Sequence, residues 1–182
     1  VEHYRLLAQH PKVIIDIGEH YERQSYRTRT PIAGPNGVQH LNVQIARDHG
    51  NKMPMRKVGL SYSESWPQQH LHAIRSAYGN TPWFIHYIDA IEGVLLTKYD
   101  RLVDLQLATL HLSMTWLGLS TGILVSEPYV EGTTYRINGN GCGPVLPSTP
   151  SEEQVPLLDL RNTLQPKRPL PPEVQATGPY PQ

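Results

Sequence analysis

The sequence predicts an α/β (or α+β) fold: a small β-sheet, including a hairpin near residues 21–45, packed with about three helices and followed by a proline-rich C-terminal tail. Three observations lead there. A short β-branched run at 12–17 is closed by Gly18, a Gly-Pro-Asn-Gly turn separates two alternating segments, and three stretches between 65 and 117 carry apolar residues at the helical period.

Tyr4, Leu6, Leu7 and Ala8 read as one or two helical turns stopped at Pro11, because proline disfavours helix in the residue before it. Lys12 to Ile17, with Val13, Ile14 and Ile15, looks like a buried strand that delivers Asp16 and Glu19 to its C-terminal end. From Tyr21 to Ile32 the residues alternate, and Gly34, Pro35, Asn36 and Gly37 turn the chain into Leu41, Val43 and Ile45. On a strand, Arg23, Ser25, Arg27 and Arg29 would share one face, and Glu22, Gln24, Tyr26 and Thr28 the other.

The next helix is expected to start near Ser65 or Trp66, with serine suited to the cap and Pro67 to the first turn. Leu71, Ile74, Ala77 and Tyr78 form its apolar stripe, and Gly79-Asn80 stops it. Thr81 and Pro82 open a second helix with Phe84, Ile88, Ile91 and Leu95; Leu102 to Leu117 makes a third, and Gly122 to Val125 a further strand. The three tryptophans, Trp66, Trp83 and Trp116, fall on apolar sides of these helices, where core packing is the expectation. Residues 137–182 hold ten of the chain's 17 prolines and read as loop and extended tail, so 1–136 is the expected folded unit.

A length of 182 residues with 38% hydrophobic content fits one core. Sixteen basic and 16 acidic side chains cancel, so no global field draws the chain to nucleic acid or anionic lipid. The charge is unevenly spread: residues 21–75 hold eight Lys/Arg against three Asp/Glu, which is where an anion would be drawn. One cysteine, Cys142, excludes an internal disulfide, and with no apolar leader visible the expected compartment is the reducing cytoplasm. No run of about 18 apolar residues is present to enter a bilayer. Cys142 itself sits between Gly141 and Gly143 with no adjacent base, which favours an incidental thiol over a nucleophile.

Two groups of residues are candidates for chemistry. Arg23, Arg27 and Arg29 could cradle phosphate or carboxylate, since a guanidinium offers a planar fork of donors; the plain alternative is a solvated strand face. Among nine histidines, His20 follows the first strand beside Glu19, and His70 lies one turn into the Trp66 helix. A single helical histidine is more often packed or capping than catalytic. His70 and His72 point about 200° apart on a helix and cannot share a metal, and no HExxH, paired CxxC, P-loop or GxGxxG is present.

Read in order, Asp16, Glu19-His20-Tyr21, Arg23-Gln24-Ser25-Tyr26-Arg27-Thr28-Arg29, Gly34-Pro35-Asn36-Gly37 and Leu41-Asn42-Val43 resemble the signature half of WbqC-like proteins. Trp66, His70, Ala77-Tyr78, Pro82, Phe84 and Tyr87 extend the likeness through the helices, so that it covers roughly residues 1–136. Asp159-Leu160-Arg161, Pro166-Lys167 and Pro179-Tyr180-Pro181-Gln182 resemble the C-terminal part of some members. Against the family pattern both ends read as trimmed, and Thr28 and Leu71 stand where the family often has Asn and Trp. The family takes its name from a member encoded with O-antigen genes, so the resemblance implies surface-polysaccharide assembly in bacteria. It implies no particular cofactor.

On this basis the leading expectation is a group-transfer enzyme, of acyl or aminoacyl type, acting on a phosphorylated or nucleotide-activated sugar. Arg23, Arg27 and Arg29, with Gln24, Tyr26 and Tyr78, would bind the small anionic ligand; His70 or His20 would act as base, oriented by Asp16 or Glu19. A non-catalytic binding or scaffold protein using the same basic face is the alternative. Nucleic-acid binding ranks last, because aromatic and basic residues do not interleave there apart from Tyr26.

Overall fold

The computed structural model describes residues 2–22, 25–34, 36–46 and 53–127, together with the backbone of three short strands at 134–138, 141–144 and 154–156. A first helix α1 (Glu2–Gln9) leads into β1 (Lys12–Asp16); a hairpin of β2 (Arg29–Gly34) and β3 (Gly37–Asn42) follows. A 3-10 turn (Met55–Lys57) and three helices come next, α2 (Trp66–Tyr78), α3 (Phe84–Leu96) and α4 (Leu102–Leu117), and then β4 (Gly122–Ser126). Strands β5 (Thr134–Asn138), β6 (Gly141–Pro144) and β7 (Gln154–Pro156) form an antiparallel sheet in the order β6-β5-β7.

The α/β expectation holds in one specific feature: β1 and β4 pair in parallel, from Lys12 opposite Gly122 to Asp16 opposite Ser126. Parallel strands cannot be joined by a tight turn, and the chain makes the crossover through the hairpin and three helices. Helix α4 spans the length of this pair. Its first turn buries Leu102 and Val103 against Ile17, Tyr21, Met55 and Val58, with Ile15 and Val125 from the strands beside them. Further along, Leu110 and Met114 close on Leu7 of α1, with Val13 and Ile123 beneath. The two clusters share Ile15 and make one continuous apolar layer under the sheet.

Helix limits follow local chemistry. Ser65 occupies the N-cap of α2 and Pro67 its first turn, as expected, but the serine hydroxyl makes no capping bond. Gly118 ends α4 at φ 63°, donating its N–H back to the last turn, a left-handed stop that glycine adopts without steric cost. Trp66 is buried as expected, its indole N–H donating to the Ser61 carbonyl at 2.9 Å. Trp83 and Trp116 depart from expectation, with 69% and 40% of their surfaces exposed. Trp83 stands at the N-cap of α3, of whose apolar residues only Ile88 is fully covered, and Trp116 lies in the last turn of α4, beyond the buried Met114.

The hairpin is shorter than the alternation from Tyr21 suggested. Pairing begins at Arg29 opposite Asn42, and residues 26–28 form a turn instead of a strand. Ser25 explains it: the hydroxyl donates to the Glu22 carbonyl at 2.9 Å and accepts the Arg27 N–H at 3.4 Å, local bonds that compete with a strand ladder. Arg27 and Arg29 therefore do not share a strand face as expected, since Arg27 lies on the turn and Arg29 opens the strand. Arg23, Gln24 and the tail fragments from Asp159 onward lie outside the described residues.

Candidate functional site

The carboxyl ends of β1 and β4 lie side by side, and several polar groups collect there. In sheets of parallel strands this edge is where ligands commonly sit, because the loops that leave it diverge. Asp16, the last residue of β1, accepts the Gly18 N–H on Oδ1 at 2.8 Å, which folds the chain sharply as it leaves the strand. Its partner in register, Ser126, is fully buried. Just beyond the strand, the Glu19 carbonyl accepts the Met55 N–H and the Ile17 carbonyl the Arg56 N–H, so the 3-10 turn is laid along the exit of β1. Arg56 reaches back across the edge and donates from Nη1 to the Glu127 carbonyl at 2.5 Å.

Arg27 enters the same edge from the turn before the hairpin. Its Nη2 meets Glu19 Oε2 at 2.5 Å, and Nη1 lies 3.9 Å from Glu22. The turn is itself pinned by α4, where the Gln106 amide donates to the Arg27 carbonyl at 2.8 Å. Asp16, Glu19, Arg27 and Arg56 are thus gathered around one edge by three separate elements. Arg56, Gln106, Ser126 and Glu127 belong to this cluster without having been singled out from sequence. No spacing marked them; the sole local cue is Pro54, which caps the 3-10 turn carrying Arg56.

The other candidates are placed differently. His20 is exposed next to Glu19, its backbone bridging Pro54. Tyr26 projects into solvent with 77% of its surface exposed. Arg29 is exposed and has no ionic partner among the described residues. His70 is buried at 7% exposure, stacked obliquely on Trp66 with ring centroids 5.1 Å apart. Its Nε2 lies 3.1 Å from the Asn42 carbonyl, which can only accept, so this nitrogen carries the proton. Burial pushes the His70 pKa down, partly opposed by that hydrogen bond. Tyr78 closes α2 and uses its hydroxyl to accept the Ala33 N–H at 3.2 Å, tying the helix to the hairpin.

The structure therefore brings Asp16, Glu19 and Arg27 together, with His20 beside them, and sets His70 and Tyr78 beneath the hairpin. Glu19 is engaged by Arg27, and Asp16 accepts the Gly18 N–H. Among the described residues no group of three or more His, Cys, Asp or Glu is placed to hold a metal ion. No helix among them is long and apolar enough to cross a membrane.

Fold and site together define an α/β protein whose polar groups converge at the carboxyl edge of a parallel strand pair. The chain belongs to the WbqC-like protein family, which it matches over residues 2–138. Neither a curated protein nor a solved structure matches it.

Proposed function

We propose that the chain binds a phosphorylated or nucleotide-activated sugar at the β1–β4 carboxyl edge and transfers an acyl or aminoacyl group to it, as a step of surface-polysaccharide biosynthesis. The observation behind this reading is the convergence of Asp16, Glu19, Arg27 and Arg56 at that edge. A guanidinium has five N–H donors, and Glu19 fixes the plane of Arg27 while leaving donors to meet phosphate oxygens. Arg29 and, across the edge, Arg56 add positive charge, while Tyr26 offers a ring beside them.

The exposed His20 is the base in this scheme. It takes the proton from an acceptor amine or hydroxyl as that group attacks the carbonyl carbon of an acyl thioester; the new C–N or C–O bond forms, the C–S bond breaks, and the thiolate leaves. His70, committed to Asn42, is a positioning residue that holds the base of the hairpin and hence Arg29. Tyr78 does the same at the far end of the hairpin.

The test combines binding with turnover. Nucleotide sugars are screened for a saturable rise in melting temperature, and then incubated with acyl thioesters while product mass is followed. Arg56→Ala should remove the thermal shift; His20→Ala should keep the shift and lose the product. Failure of every nucleotide sugar to stabilise the chain overturns the reading. A shift without product selects the alternative, a non-catalytic binding protein, which is favoured by one observation: both the buried imidazole and the two carboxylates already have internal partners.

A further inference from the structure

A second hollow lies away from the polar edge, walled by α1, the end of α2, α3 and the last turns of α4. It measures about 550 Å³, and Tyr4, Tyr78, Trp83, Tyr87, Ser113 and Trp116 are among the residues that line it. Gln106, which touches Arg27, and Trp116 are ten positions apart on α4, about 15 Å along the axis. The two sites therefore occupy opposite ends of the same helix.

The walls define the chemistry of an occupant. Among the described residues no charged side chain lines the hollow, so it offers no counter-ion to a phosphate or a carboxylate. Tyr87 and Trp116 meet edge to face, with centroids 4.9 Å apart and planes at 74°, making a corner of two rings. Trp83 is the most exposed tryptophan in the described residues and stands at the rim. The indole N–H groups of Trp83 and Trp116 and the phenol of Tyr87 have no hydrogen-bond partner among the described residues. The Ser113 and Thr81 hydroxyls donate to helix carbonyls but can still accept.

An acyl chain would cover the apolar part of the wall but make no use of those indole and phenol groups, which are open to water in its absence. A nucleobase would meet no amide, carboxylate or guanidinium able to read its edge. A neutral sugar ring satisfies both demands: its C–H face stacks on an aromatic ring, while its hydroxyls, each donor and acceptor, meet the N–H and O–H groups around the rim. We propose that this hollow is a second binding site, specific for an uncharged glycosyl ring. The inference goes beyond the function proposed above, since, apart from Tyr78, it concerns other residues at the other end of α4.

The experiment is saturation-transfer NMR on the whole chain with methyl glucoside, methyl galactoside, N-acetylglucosamine and N-acetylgalactosamine, with tryptophan fluorescence as a second readout. Transfer to the ring protons of at least one sugar is expected. Trp83→Ala and Trp116→Ala should each weaken it by about threefold to tenfold, the loss expected for one aromatic stacking contact. Both side chains are well exposed, and an unchanged melting temperature verifies that the variants fold. Arg56→Ala, at the other edge, should leave the transfer unaltered whether or not nucleotide sugars bind there. The proposal is overturned by absence of transfer from all four sugars, or by transfer indifferent to both tryptophan substitutions. It is equally overturned if the chain sediments as a dimer that Trp83→Ala converts to a monomer, because a second copy would then cover the hollow.

Discussion

Arg27 and Glu19 meet at 2.5 Å across the eight residues that lead from the end of β1 into the hairpin. This contact joins the exit of the parallel pair to the turn that leads into the hairpin. Both side chains are only partly covered, at 28% and 38% exposure, which limits the energy available from their attraction. A double-mutant cycle with Arg27→Ala and Glu19→Gln should give a coupling of about 0.5–1 kcal/mol by urea denaturation, falling in molar salt. Additive single mutants would show that water replaces the contact at no cost.

The pair also shows where sequence reading stopped. Alternation from Tyr21 suggested a strand with its arginines on one face, yet Ser25 satisfies its neighbours locally and turns the chain, leaving Arg27 to fall toward Glu19. Helices were legible because their signals are local: Pro67 near the start of α2, Gly79 at its end, the long apolar run of α4. The parallel pairing of β1 with β4 was not, since nothing in either short run encodes a partner more than a hundred residues away. Ser126 joined the candidate site through that pairing, and Arg56 through the backbone bonds that lay its turn along the exit of β1. Trp83 and Trp116 were misplaced for a related reason, as an apolar position on a helix is buried only where another element covers it.

The stop of α4 rests on one residue. Gly118 has φ 63°, and a Cβ added there would meet no atom within 4 Å, so any cost of substitution is conformational. Gly118→Ala should destabilise by about 1 kcal/mol, and Gly118→Asn by less, because asparagine tolerates the left-handed region. Equal costs in chemical denaturation would point to some cause other than backbone conformation.

Leu102 and Leu117 sit at the two ends of α4 and should respond oppositely to truncation. Leu102 is fully buried against Val58 and Val103, whereas Leu117 keeps 55% of its surface exposed. Leu102→Ala is expected to cost about 3 kcal/mol through lost transfer energy and the cavity left behind. Leu117→Ala should stay within about 0.5 kcal/mol. Urea midpoints at constant slope would measure both, and a large loss at Leu117 would mean that the exposed end of α4 is covered in solution.

His70 gives the stability of the fold a defined pH dependence. Its ring is buried against Trp66, with Nε2 donating to the Asn42 carbonyl, and burial holds its pKa below the ordinary value of 6.5. A cationic acid with a depressed folded-state pKa takes up its proton more readily when unfolded. Its stabilising contribution is therefore complete above about pH 6.5, declines as pH falls from there toward the folded pKa, and levels off below it. His3 is shifted in the same direction by burial, so the informative quantity is the difference between two chains. Gln at position 70 can still donate a hydrogen bond to Asn42 but does not titrate, and His70→Gln should flatten the melting-temperature profile between pH 7.5 and pH 5 while lowering it at neutral pH. His70→Ala should lower it further, by about 2 kcal/mol, because it leaves both a cavity and an unsatisfied carbonyl under the hairpin. Parallel profiles for the wild type and His70→Gln would place the acid sensitivity elsewhere and leave the imidazole accessible enough to protonate in the folded chain.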